Sequence, residues 1–153
     1  MTKGRGTQKI RVRLGCDRGV AVLEFAFIAP LLLALLIAGV ELGLAIRTEL
    51  LAQEAAAAGA QYAIQGFDAT AITSAVQNVK AGSGLLASPA PAEFYACPAA
   101  SGLTHTTQGT TCTDGAAARH YVDVWASNAR PTVMGASFGL PATLTAHAVA
   151  RAP

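Results

Sequence analysis

Apolar positions are distributed very unevenly along this chain. From residue 20 to residue 46 they follow one another with two carboxylates among them, Glu24 and Glu41, and no Lys or Arg. The sixteen residues between those glutamates carry no charge, and as a helix they would cover about 24 Å at roughly 1.5 Å per residue. A bilayer's hydrocarbon core needs about 30 Å. The span must therefore take in residues on either side, with one or both glutamates neutralised or paired, because an isolated carboxylate at that depth is costly. The run predicts a membrane-crossing helix over residues 20–46. Pro30 inside it removes one backbone hydrogen bond and predicts a loosened turn or kink near Ala26. Ala34 with Ala38, and Gly39 with Gly43, place small residues four apart, a spacing that lets helix backbones approach closely.

Past the span the pattern changes without a break. Residues 47–65 contain an alanine-dense run and no Pro, and alanine is the best helix former. The helix is therefore expected to continue to about Gln65, with Gly66 as its stop, for a combined length approaching 70 Å at roughly 1.5 Å per residue. Its small side chains suit packing against other helices or against a small head; a low-complexity stalk with no partner is the plainer alternative. Asp68 is placed to cap a second helix, Phe67 and Ile72 occupy the positions of a hydrophobic staple, and Ile72, Ala75, Val76 and Val79 recur at helical spacing up to Lys80. Residues 81–91, with two glycines and two prolines, read as a loop. Alternation over 119–126 and over 144–150 predicts two strands, joined by a long Gly- and Pro-containing connection. The fold class is α+β. The domains are a basic segment 1–19, the span 20–46, the helical continuation 47–66 and a small head 67–153.

Composition sharpens this picture. With 52% hydrophobic and 13% charged residues over 153 positions, the chain is far from the disordered class and suits one small domain plus an extension. Six of the eleven Lys and Arg residues (Lys3, Arg5, Lys9, Arg11, Arg13, Arg18) precede Gly19, where Asp17 is the only acid. After Gly19, five basic residues face eight acidic ones, a formal difference of minus three. The net positive charge thus belongs to the first segment and implies no nucleic-acid partner. Beside an apolar span it implies topology: the N-terminus stays cytoplasmic and the rest lies outside. Residues 1–19 read as an unstructured targeting segment that is removed. Cys16 is no lipidation site, because the apolar region would have to precede it. Cys97 and Cys112, in an extracytoplasmic compartment, are expected to form a disulfide, worth about 3 kcal/mol for a loop of this length in the chain-entropy model. A metal site built from them with His105 or His120 is the rival, but no close Cys or His pair supports it.

The opening of the span carries the strongest signal. Gly19, Val20, Ala21, Val22, Leu23, Glu24, Phe25 and Ala26, with the apolar run closing in Gly39, Val40, Glu41, Leu42 and Gly43, resemble the TadE-like minor pseudopilins of the tight-adherence (Flp/Tad) pilus. The likeness covers TadE and its sister TadF alike. It is looser toward the C-terminus, through Val122, Asp123 and Val124 and the segment from Leu144 to near Arg151. The resemblance implies that a membrane prepilin peptidase cuts between Gly19 and Val20, which puts Glu24 and Phe25 at the fifth and sixth mature positions. It also implies a bacterial inner-membrane location, membrane lipid, other pilins and the pilus assembly machinery as partners, and a part in adhesion through the pilus. Cleavage would create an amine on Val20 one helical turn from Glu24, or within reach of a neighbouring subunit's glutamate.

No residues converge on catalysis. Gly135, Ala136, Ser137, Phe138 and Gly139 match G-x-S-x-G, but that nucleophile elbow needs a strand-to-helix turn on a parallel sheet with an acid and a His after the Ser. His147 follows Ser137 but no Asp or Glu does, so turn geometry is the reading for these glycines. The expectation is a structural pilus component, not an enzyme, with no cofactor and no metal. Two alternatives remain: an uncleaved single-pass module whose head binds an extracytoplasmic ligand, and an exported soluble domain whose residues 31–45 are a signal-peptide core. Helical continuation through the alanines disfavours the second.

Overall fold

A computed structural model describes residues 17–133 and 139–153, with side-chain burial from residue 20 onward. Cys16 and most of the G-x-S-x-G stretch, from Gly135 to Phe138, lie outside the described residues. The chain divides into two compact units, Met1–Ile37 and Ala38–Pro153.

Helix α1, Asp17–Ala63, runs through Pro30 without interruption. Its end follows from local geometry. Gln65 N–H and Gly66 N–H donate to Tyr62 and Ala63 carbonyls at 3.0 and 3.2 Å, and Gly66 takes a φ of +145°, which a side chain would oppose. The helix thus stops close to the expected place. Helix α2, Ala69–Asn78, starts where Asp68 accepts from the Thr70 and Ala71 amides at 2.9 and 3.2 Å. Of the expected staple, Ile72 is fully buried and Phe67 is 38% exposed.

Four strands follow: β1 Ala92–Ala99, β2 Gly102–Thr106, β3 Arg119–Ala129 and β4 Thr143–Arg151. They form one antiparallel sheet in the order β2-β1-β3-β4. The α+β expectation is borne out, and the two expected strands are β3 and β4. The β1–β2 hairpin was not legible. Pro98 sits inside β1, and the Thr- and Gly-rich β2 lacks a clear apolar alternation. Leu86 extends the sheet beyond β1 by exchanging both backbone hydrogen bonds with Ser127 at 2.8 and 2.9 Å.

The core of the unit Ala38–Pro153 lies between the helices and one face of the sheet. It joins Ala55, Ala56, Ala60 and Ala63 of α1 with Ile72 and Val76 of α2, Leu85, and Val122, Val124, Ala126 and Ala150 of the sheet. On α1 the buried positions 41, 45, 48, 52, 55, 56, 59, 60 and 63 recur every three or four residues, one face of a helix. After Thr48 they are all Ala or Gly. The alanine run is therefore a packing surface and not an unpartnered stalk.

Gly59 shows how close the layers come. A Cβ there would lie 2.7 Å from a Val124 methyl and 2.8 Å from a Val76 methyl, both on stiff branched side chains. Gly59→Ala should therefore lose stability on balance. Overpacking costs about 1–3 kcal/mol, against a helix-propensity gain of at most about 1 kcal/mol. Gly43→Ala, where a Cβ meets nothing within 4 Å, should gain. Paired thermal melts of the two full-length variants in detergent check this; a more stable Gly59→Ala would mean that the layers can separate at little cost.

Candidate assembly site

The N-terminal candidates all lie on α1. Gly19 and Val20 are in its first turns because the helix begins at Asp17, so the last three residues of the segment expected to be unstructured are helical. Nothing in them breaks a helix: one glycine costs about 1 kcal/mol, and extending a helix already nucleated downstream adds one hydrogen bond per residue. Val20 is 56% and Phe25 68% exposed, and Glu24 is exposed and has no ion pair among the described residues. Val20 and Glu24 stand four apart, hence on the same face. Around them, Val22, Leu23, Phe27, Ile28 and Leu31 are also exposed. The most apolar window of this helix has a mean hydropathy of 2.7. It is the one helix among the described residues long and apolar enough to cross a membrane.

Glu41, the second glutamate, is 1% exposed. One carboxylate oxygen accepts from Arg130 Nη1 at 2.8 Å and the other from the Val133 amide at 2.7 Å. Arg130, itself 6% exposed, donates from Nε to the Pro141 carbonyl at 3.2 Å, and its backbone amide donates to the Ala142 carbonyl at 2.8 Å. One arginine at the end of β3 thus ties α1 to the start of β4. Of the two glutamates, one or both of which were expected to be neutralised or paired, Glu41 is paired, by a residue that the sequence pattern did not single out. A signal existed, since Arg130 is the only Lys, Arg, Asp or Glu between Asp123 and Arg151, and a carboxylate ending an apolar span calls for a cation.

The remaining candidates lie on the sheet. Cys97 of β1 and Cys112 are joined in a disulfide. His105, the metal-site candidate on β2, stacks on Phe94 at 4.4 Å, while His120 stacks on Tyr95 at 5.1 Å and lies 3.1 Å from Glu93. His147 stacks on Trp125 at 4.6 Å, and the Trp125 indole N–H donates to Asp123 at 2.7 Å. Each histidine is thus engaged with an aromatic ring from a nearby strand position. Among the described residues no group of three or more His, Cys, Asp or Glu side chains could hold a metal ion.

Residues 19–61 match the model of a protein family described as TadE-like protein. No curated protein matches the chain, and no solved structure does.

The buried pair makes a measurable demand. Arg130→Ala leaves Glu41 charged without its cation and should cost about 3–5 kcal/mol, whereas a Glu41→Leu/Arg130→Met double variant should lose much less. Denaturant unfolding followed through Trp125, the only tryptophan, separates the two; equal losses would show that the pair does not act as a unit.

Proposed function

We propose that this chain, TadE-like over residues 19–61, is a minor pseudopilin-like component of a tight-adherence pilus, cleaved after Gly19 and acting in pilus assembly or initiation. The family match supports a pilus-associated component. The observation that carries the finer reading is the run Gly19, Val20 and Glu24 at the mouth of an exposed apolar helix that follows a basic segment. Such a helix is held in the membrane by its apolar surface. Glu24 is a carboxylate with no cation of its own among the described residues, and cutting after Gly19 supplies one as the Val20 amine, in the same chain or in a neighbour. A charge pair formed between adjacent helices in a low-dielectric layer favours one register over others. The cytoplasmic N-terminus, the inner membrane, the prepilin peptidase and the pilin neighbours belong to this proposal. Disulfide formation between Cys97 and Cys112 agrees with a head outside the cytoplasm.

Expressed with a prepilin peptidase, the membrane-associated chain should begin at Val20 by mass and N-terminal sequencing, and without the peptidase it should begin at Met1. A Met1 start under both conditions would favour the uncleaved single-pass binding module. Glu24→Ala should leave the protein membrane-associated and processed while pilus assembly falls; unchanged pili, counted by electron microscopy, would remove Glu24 from the mechanism.

A further inference from the structure

Five basic residues follow Gly19, and two of them are in ion pairs: Arg119 lies 3.2 Å from Asp114 and Arg130 2.8 Å from Glu41. Two of the other three, Arg47 and Lys80, line one cavity of about 240 Å³ between α1, the turn after α2 and the end of β3. Leu44, Thr48, Ser83 and Asn128 also line it, and no carboxylate does. Neither Arg47 nor Lys80 has an ion pair among the described residues. In a region with three more acids than bases, two cations that share one cavity and have no ion pair among the described residues suit an anion, although Arg47 also borders a neighbouring groove that Glu54 lines.

The cavity also lies at a particular level of α1. Leu44 and Arg47 follow Glu41 by three and six residues, about 4.5 and 9 Å along the helix, and Glu41 ends the uncharged run. A headgroup layer extends roughly 5–7 Å beyond the hydrocarbon core on each side, and long basic side chains reach into it from either direction.

We propose that this cavity binds the headgroup of an anionic phospholipid, with Arg47 and Lys80 on the phosphate. The assignment rests on α1 being a membrane anchor. It distinguishes phosphatidylglycerol, whose phosphate charge is uncompensated, from phosphatidylcholine, whose phosphate charge is balanced by its own choline cation.

The test uses the full chain reconstituted into phosphatidylcholine vesicles containing a minority of phosphatidylglycerol. Flotation reads the anchor. Mass spectrometry of lipid retained after extraction into mild detergent reads the cavity. Wild type should float and retain phosphatidylglycerol roughly tenfold above its share of the bilayer. Arg47→Gln/Lys80→Gln should float with unchanged Trp125 fluorescence and lose that enrichment, and Arg151→Gln, which removes the cation outside the cavity, should keep it. A chain that does not float overturns the anchor and the proposal together. Floating without enrichment, or equal enrichment in the double variant, overturns the proposal alone. Complete release of the lipid by millimolar inorganic phosphate would identify free phosphate as the ligand and overturn the lipid assignment.

Discussion

A carboxylate at 1% exposure is tolerable only if its charge and its lone pairs are met, and Glu41 has both met by one short stretch of chain. Arg130 supplies the charge and Val133 a backbone donor. Because Arg130 is also bonded to Pro141 and Ala142, the connection between β3 and β4 is anchored to α1 at its entry, and its exit is tied to the same arginine. Buried pairs of this kind contribute little net stability compared with apolar residues of the same volume, yet breaking one is expensive. The consequence here is placement: α1 has one position against the sheet at which Glu41 is satisfied.

The stripe that follows works by the opposite means. From Ala52 to Ala63 the buried side of α1 presents only methyl groups or hydrogen, so its backbone comes near enough to β3 that Val124 reaches Gly59. The bulk of the core is supplied by the other layer and by α2, through Val122, Val124, Ile72 and Val76. Such a surface is unselective by itself, since one alanine resembles another, and a helix faced with them could shift by a turn. The ion pair removes that ambiguity. The TadE-like segment, residues 19–61, takes in the apolar run, Glu41 and most of this stripe, so it covers the membrane-compatible part of the helix together with the face that receives the sheet.

The sheet is secured by side chains as much as by its ladder. The disulfide links β1 to the turn region before β3. On β1, β2, β3 and β4, aromatic rings and imidazoles stack across neighbouring strand positions at 4.4 to 5.7 Å. Cross-strand pairs of this sort contribute a few tenths to about 1 kcal/mol each, a useful addition for a sheet whose helix-facing core is built largely from alanine and valine.

Much of this architecture was legible in the sequence because it depends on near neighbours. A long apolar run, an alanine run without proline, a capping Asp68, a stopping Gly66 and alternation in β3 and β4 each act over a few residues, and the structure has each element close to where the pattern places it. The β1–β2 hairpin was not legible because its strands carry a proline and hydroxyl side chains, and their stability comes from pairing partners that local composition does not reveal. The sequence by itself determined that one or both of Glu24 and Glu41 must be neutralised or paired and that the helix carrying them would be long. Only the tertiary structure decided that the partner of Glu41 is Arg130, 89 residues away, that the alanines face a sheet, and that Arg47 and Lys80 share one cavity. The physical reason is distance: backbone propensity and hydrophobic period are settled within a few turns, whereas charge pairing and close packing depend on which surfaces the folded chain brings together.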